Sequence, residues 1–399
     1  MSLKKSSVIL GAAFLMATSA IGPGFITQTT VFTQQLLTSF GFVILISIIL
    51  DIAAQLNIWR IISIADKPAQ VISNELFPGM GYVLSGLIVF GGLAFNIGNV
   101  AGAGLGLNIL IPVDGASQDP VIGAMISALI ALAIFWFKEA GNAMDIFSKV
   151  MGGIMIALTC YIAIISHPPV GQAIVHSIVP QKIDFTAIIT IVGGTVGGYI
   201  SFAGAHRLLD AGITGPEHIK SVSNGSIKAI LIASAMRILL FLAALGVVIG
   251  GGILDAKNPA ASVFSFAAGI WGLKIFGIVL WSAAITSVVG SAYTSISFLR
   301  SFHPIFDKYQ RLWVTAFILI STLVFSLIGK PIKVLIFAGA LNGLILPFSL
   351  GIILIAVWKK NYLGTYKHPR YLSVLGWVVV MLMLFMGINV LTSELTKLL

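Results

Sequence analysis

The chain has 399 residues, of which 58% are hydrophobic and only 9% charged, and its mean hydropathy is +1.05. Thirteen acids and 23 Lys and Arg are too few to dress the surface of a water-soluble protein of this length, so lipid is the solvent for most of it and a soluble fold is excluded. The formal charge of +10 comes from basic residues scattered through separate short segments without interleaved aromatics, so no nucleic-acid partner is expected.

A spanning helix needs about 20 mostly apolar residues. Eleven such stretches follow one another, near 8–35, 40–59, 81–111, 120–137, 150–166, 186–205, 229–250, 268–297, 312–328, 334–358 and 372–393. Their connections are short, which predicts one transmembrane domain over 1–399 and no separate soluble unit. The one cysteine, Cys160, lies in an apolar run, so neither a disulfide framework nor a Cys-based zinc site is expected. The first run follows Lys4 and Lys5 and passes small residues at Ala17–Ala20, as a signal peptide does. It then continues through Gly22, Pro23 and Gly24 without a polar mature start, and we read it as the first span.

Sixteen of the Lys and Arg fall in the N-terminus and alternate loops after it: Lys4, Lys5, Arg60, Lys67, Lys138, Lys149, Arg207, Lys220, Lys228, Arg300, Lys308, Arg311, Lys359, Lys360, Lys367 and Arg370. Six lie on the other side (Lys182, Lys257, Lys274, Lys330, Lys333, Lys397), and Arg237 lies inside a span. Positive charge stays inside, so the N-terminus is expected in the cytoplasm and the C-terminus outside, in a multi-pass protein of a bacterial-type inner membrane.

The first span reads IGPGFITQTTVFTQQ and crowds Thr27, Gln28, Thr29, Thr30, Thr33, Gln34 and Gln35 into the membrane interior. The sixth reads IVGGTVGGYISFAGAH, with Gly193, Gly194, Gly197, Gly198 and Tyr199 at the same depth. Irregular polar backbone at membrane depth is tolerated only where protein or a wet cavity satisfies it. Two such segments five spans apart predict inverted five-helix repeats, whose broken first helices meet at the midplane around a solute. Close packing is the alternative for the glycines, and we prefer it for Gly98, Gly102 and Gly106 in the third span.

The sequence resembles the natural resistance-associated macrophage protein (NRAMP) family of divalent-metal transporters over essentially its whole length. GPGF enters the first break, GLNIL closes span 3, GGTV enters the second break and LPF lies in span 10. The resemblance implies an all-α integral membrane protein with eleven helices and the leucine-transporter fold. It would place repeat one at about 8–166, repeat two at about 186–358 and an extra helix at about 372–393. The family's metal site uses Asp-Pro-Gly-Asn in span 1 and Met-Pro-His in span 6. Gapless extension puts Thr33, Gln34, Gln35 and Leu36 on the first motif and Gly197, Gly198 and Tyr199 on the second. A pair of acids thought to pass protons in span 3 falls on Asn96 and Asn99. The span-10 glutamine falls on Ile345, with Asn342 one turn earlier. Neither hard carboxylate nor soft thioether remains, so no metal-ligating residues are expected in the breaks.

Asp51 and Arg237 are the two charges near the middle of spans, on the second and the seventh, and we expect them to form an ion pair. The six histidines fall at span ends or in loops and read as interfacial; His206, at the inner end of span 6, is retained as a candidate proton handler. No GxSxG elbow and no GxxxxGK[ST] loop occurs, so neither an enzyme nor a nucleotide-driven pump is expected.

These features predict a gradient-driven secondary transporter that moves a small polar organic solute by alternating access. Its site would draw on Gln28, Thr29, Thr30, Thr33, Gln34, Gly197, Gly198, Tyr199, Ser201 and Asn342. Asn96, Asn99, Asp51, Arg237 and His206 would serve coupling or gating. No cofactor is expected, the coupling cation is left open between H⁺ and Na⁺, and the partners are the solute and the bilayer, with no obligatory protein partner evident. Some NRAMP-like bacterial proteins with a similarly altered first motif are associated with 5-oxoproline breakdown, which makes 5-oxoproline the candidate by resemblance. A divalent-metal transporter (Mn, Fe or Mg) and a non-transporting membrane sensor are the alternatives.

Overall fold

The computed structural model describes residues 9, 11–13, 16, 17, 20–111, 120–359 and 362–398, the side chains at 138–145, 148, 149 and 393–398 excepted. Lys4, Lys5 and Lys360 of the sidedness pattern lie outside the described residues, as do the side chains of Lys138, Lys149 and Lys397.

Among the described residues every regular element is helical. After a helical segment that reaches Ala20 come α1 (Pro23–Leu36), α2 (Phe40–Ala65), α3 (Ala69–Leu76), α4 (Met80–Leu110) and α5 (Pro120–Trp136). The chain continues through α6 (Lys138–Ile165), α7 (Val170–Ile178), α8 (Phe185–Val196), α9 (Tyr199–Asp210) and α10 (Ile219–Ile249). It ends with α11 (Pro259–Ser297), α12 (Pro304–Lys308), α13 (Gln310–Ile328), α14 (Pro331–Trp358) and α15 (Arg370–Leu398).

Eight described helices are long and apolar enough to span a membrane, or nine when the pair Val150–Ile165 and Val170–Ile178, bent by 103°, is counted as one span. The expected eleven is not reached by this measure. Pro23–Ala65 passes it as a single 43-residue stretch although the chain turns at Leu37 (φ 49°), and Pro120–Trp136, although apolar, is only 17 residues long. Several helices also begin earlier than hydropathy indicates, at Lys138, Ile219 and Pro259 in place of 150, 229 and 268. The first turns at Lys138 and Ile219 are polar and belong to the helix but not to the apolar stretch, whereas Pro259–Ala268 is itself mostly apolar.

The breaks lie at the centre. The stretch Phe185–Asp210, made of α8 and α9, has 89% of its apolar window buried, against 33% for α13 and for Arg370–Thr392 of α15, which are therefore peripheral. α1 packs against α4, α8, α10, α11 and α14, and α4 lies along α11 over much of its length. Glycines make these approaches close: a Cβ on Gly98 would stand 3.1 Å from Leu335, one on Gly102 would strike Pro23, and one on Gly106 would come within 2.7 Å of the Trp281 backbone. Packing is thus the role of all three, and Gly102 holds α4 directly against the first break.

Members of the two basic sets lie at opposite ends of α4, Lys67 and Lys359 at one and Lys257, Lys274, Lys330 and Lys333 at the other. At its N-terminal end Lys67 pairs with Glu75 (2.7 Å) and Lys359 donates to the Glu75 carbonyl (2.9 Å). At its C-terminal end Lys274 Nζ donates to the carbonyls of Ile109 (2.6 Å) and Leu110 (3.1 Å), which the helix end leaves free.

Candidate functional site

The first break falls on the Gly-Pro-Gly-Phe run itself. The upstream helix closes through Ile21 N–H to Ala17 O and Gly22 N–H to Ala20 O, both 2.9 Å. Gly22 is then extended (φ −114°, ψ −170°), and α1 starts at Pro23, which has no N–H to give. This corrects the register expected from the sequence. Thr33, Gln34, Gln35 and Leu36 do not stand at the break; they close α1 about three turns beyond it, and Gln34 is exposed. The hydroxyl-rich stretch stays helical because its side chains satisfy themselves. Thr29, Thr30 and Thr33 donate back to the carbonyls of Phe25 (2.7 Å), Ile26 (3.0 Å) and Thr29 (2.6 Å). With the break at this point, the family's Asp-Pro-Gly-Asn would fall on Gly22, Pro23, Gly24 and Phe25.

The second break is at Gly197 and Gly198, between α8 and α9. Gly197 is extended (φ −75°, ψ 161°), and Gly198 has φ 54° and ψ −131°, a conformation that glycine adopts without strain. Ser201 Oγ donates to Val196 O (2.8 Å), one of the carbonyls that the break frees. A Cβ on Gly197 would lie 2.5 Å from Gly193 O and 2.7 Å from Asn342 O. Both are backbone atoms, so a methionine here would require the helices to move apart. Gly193, inside α8, meets the backbone of Gly339 and Gly343 on α14, and is a packing residue.

Between the breaks lies a cluster of neutral polar groups from four helices. A Cβ on Gly22 would stand 3.3 Å from Ser287 Oγ and 3.6 Å from Asn99 Oδ1. Asn99 Nδ2 donates to Ser291 Oγ at 3.4 Å, and the Tyr199 hydroxyl is within hydrogen-bonding reach of both Ser291 and Asn99. The Tyr199 ring meets Phe95 edge-on at 5.7 Å. One turn further along α11, Ser295 faces Gly92 beside the same ring. Much of this hydrogen-bonding capacity is unused: Asn96, fully buried, has no protein partner for either side-chain polar atom, and Ser295 Oγ and Asn342 Oδ1 have none. Neither α1 nor α9 carries a side-chain cap at its start, which leaves early N–H groups there as anion-binding donors.

The sequence reading named Tyr199, Asn96 and Asn99 but not Gly22, Phe25, Ser287, Ser291 or Ser295. The serines' signal was their four-residue spacing along span 8, which sets all three on one helix face. Asn342 donates to Gly91 O (2.9 Å) and Ala338 O (2.8 Å) and abuts Gly198, so it, rather than Ile345, reaches the second break from span 10. Gln28 lies one turn beyond the first break, donating to Leu335 O (2.8 Å) with Oε1 unpartnered.

Asp51 and Arg237 are both buried and near one another, but they do not form the expected direct ion pair; among the described residues, direct pairs occur elsewhere. Thr195 lies beside both, its hydroxyl donating to the Ile191 carbonyl (2.8 Å) and accepting from Arg237 Nη1 (3.0 Å). The guanidinium instead lies over the Phe25 ring, 4.2 Å from its centroid, and this cation–π contact competes for it. Three histidines are less interfacial than expected. His218 is buried, and His206 is half-buried beside Phe298 (4.9 Å) and Phe202 (6.2 Å). His368 is buried against Asn57 (Nε2 to Oδ1, 2.9 Å), and burial together with nearby Arg60 lowers its pKa to about 4. In the exposed cluster at the same end, the Lys67 ammonium holds the Glu75 carboxyl below its usual range.

Comparison with known proteins places this geometry. Residues 13–393 match the family described as natural resistance-associated macrophage protein-like. The "uncharacterized membrane protein YcsG" of Bacillus subtilis is 57% identical over 392 residues, 98% of this chain and 96% of that protein. An uncharacterized membrane protein of Haemophilus influenzae is 57% identical over 379 residues, 95% and 94% of the two chains. Among solved structures, a manganese transporter of Eremococcus coleocola superposes with a TM-score of 0.75 at 17% identity, covering 98% of this chain and 87% of its own. MhsT in complex with L-phenylalanine gives 0.66 at 16% identity, covering 95% and 98%.

Proposed function

We propose, from the premise that this chain belongs to the natural resistance-associated macrophage protein-like family and has the leucine-transporter fold, that it is a gradient-driven secondary transporter of a small polar organic anion, with 5-oxoproline as the candidate. The fold does not select the substrate, since similar structures include a manganese transporter and a protein holding L-phenylalanine. The residues at the breaks must do so. The observation that carries the reading is the neutral cluster of Asn99, Ser287, Ser291 and Tyr199 joining the two breaks, with Gly22 and Gly197 where the family has a carboxylate and a thioether. A cyclic amide acid offers N–H and C=O groups to Asn96, Asn99, Tyr199 and the serines, and a carboxylate to the helix N-termini. Alternating access follows from a site shared by two broken helices, since either half-helix moves without unfolding the other.

Divalent-metal transport is the second reading, favoured by the fold shared with the manganese transporter. It would require coordination by carbonyls and amides around a hydrated ion.

Purified protein in vesicles, tested for uptake of labelled 5-oxoproline and for Mn²⁺ entry, separates the two. Saturable 5-oxoproline uptake is expected, with Tyr199→Phe and Asn99→Ala each lowering apparent affinity roughly ten- to a hundredfold, the effect of losing about 1.5–3 kcal/mol of hydrogen bonding to a charged ligand. Gln34→Ala, on an exposed face, is the control expected to transport as the wild type does. Mn²⁺ entry without organic uptake would reverse the ranking.

A further inference from the structure

We propose that Asp51 is the proton-binding group that couples transport to the proton gradient, with Thr195 and Arg237 tying its charge state to the two helix breaks. The inference rests on the reading of the chain as a gradient-driven transporter, and it names the driving ion.

Asp51, on α2, is 1% exposed, and its Oδ1 has no hydrogen-bond partner. Arg237, on α10, is 2% exposed, with Nε and Nη2 equally unpartnered. Two buried charges that serve only stability would be expected to close into a direct, bidentate contact, because separation leaves the desolvation cost of both uncompensated. Here no direct contact forms, and Arg237 donates to Thr195 beside them instead. The open arrangement is what a carboxylate that changes protonation requires. Ionised, it attracts the guanidinium; protonated, it releases that attraction, and Arg237 remains held by Thr195, the Ile191 carbonyl and the Phe25 ring.

The contacts lead to both breaks. Thr195 is in the last turn of α8, two residues before Gly197, and Phe25 is in the first turn of α1, three residues after Gly22. A change of charge at Asp51 is therefore felt by the half-helices that enclose the proposed site. Size selects the proton over Na⁺. The space bordered by Phe25, Ser47, Asp51, Thr195, Ser234 and Arg237 has no room for a water-sized particle. A proton needs no cavity. Among the described residues of the elements packed on α2, Arg237 of α10 is the charged group that faces Asp51. α1 and α8 carry no charged residue, Lys333 of α14 lies in a cleft with Ile109 at the C-terminal end of α4, and Arg370 opens α15 two residues before Leu372, whose carbonyl accepts from Asn57. His176 of α7 bonds Thr38 before the start of α2, His206 of α9 lies against Phe298, and Arg60 and His368 lie at the far end of α2 with Tyr366 and Asn57. The step balances simply: a proton from water forms one O–H bond on the Asp51 carboxylate and later leaves to water on the opposite side.

Infrared difference spectra of the full-length protein in lipid, recorded across a pH titration, test this without a substrate. Of the carboxylic-acid carbonyl bands that titrate in the wild type, one is expected to be absent from Asp51→Asn, present in Asp51→Glu, and shifted in midpoint by on the order of one pH unit in Thr195→Val, which removes the acceptor that holds the guanidinium beside the carboxylate. In vesicles, an inward proton gradient should accelerate 5-oxoproline uptake by the wild type and not by Asp51→Asn. A set of titrating bands that is the same in Asp51→Asn as in the wild type overturns the assignment. A band lost in Asp51→Asn together with no 5-oxoproline uptake by the wild type would uphold the proton site and reject the substrate.

Discussion

At Gly22 the first broken helix offers only backbone, and the nearest side-chain groups are the hydroxyl of Ser287 and the amide of Asn99. The register that puts this glycine where the family has its aspartate makes a direct prediction. Gly22→Asp with Phe25→Asn should bind Mn²⁺ at least about tenfold tighter, by isothermal titration, than Thr33→Asp with Leu36→Asn, because a carboxylate near a cation in a low-dielectric centre gains more than one at the end of a helix. Equal affinities would refute the register. A second residue-scale prediction concerns His368. Its folded pKa of about 4 lies below the ordinary 6.5, so between those values the unfolded chain binds a proton that the folded chain does not. Stability contributed by the neutral ring is complete above about pH 6.5 and is lost as pH falls toward 4. His368→Gln, which keeps a donor for Asn57 but does not titrate, should flatten the acid-side fall in melting temperature, and an unchanged slope would show that the ring carries no linkage.

The elements owe their arrangement to where backbone meets backbone. α8 and α14 come backbone to backbone at Gly193, Gly339 and Gly343. A methyl group added at Gly343 would collide with the Ile189 carbonyl, which cannot rotate away as a side chain can. Gly343→Ala should therefore cost about 1–3 kcal/mol by overpacking and lower the melting temperature in detergent. Gly153→Ala, where a Cβ meets nothing within 4 Å, should not lower it, since alanine favours a helix more than glycine does. If both variants melt alike, the close approach of α8 and α14 is not a stability determinant.

For the whole molecule, the segregation of basic residues to the two ends of α4 predicts sidedness. With the one cysteine, Cys160, replaced by serine, Lys67→Cys should react with an impermeant thiol reagent only in inside-out vesicles, and Lys257→Cys only in intact cells. The opposite labelling would invert the topology. At this scale much was legible in the sequence. Hydropathy alone forced a helical membrane protein, and the glycine-rich GGTVGGY run marked the second break where the chain does part, at Gly197 and Gly198. The same reasoning misplaced the first break, because seven hydroxyl and amide side chains drew attention downstream of a Gly-Pro pair that already suffices to end a helix. Threonine hydroxyls that return to their own backbone look identical in a sequence to hydroxyls that face a cavity.

What the amino-acid order determined by itself was solvent, secondary structure and charge asymmetry, because each depends on residues close together along the chain. What tertiary structure alone decided was which polar groups converge: Gly22, Asn99, Ser291 and Tyr199 come from four separate segments, and Thr195 takes the Arg237 hydrogen bond beside Asp51. Those relations depend on how closely helices approach across the bundle. The approach is set by small residues and kinks on every helix at once, so no single stretch of sequence contains it.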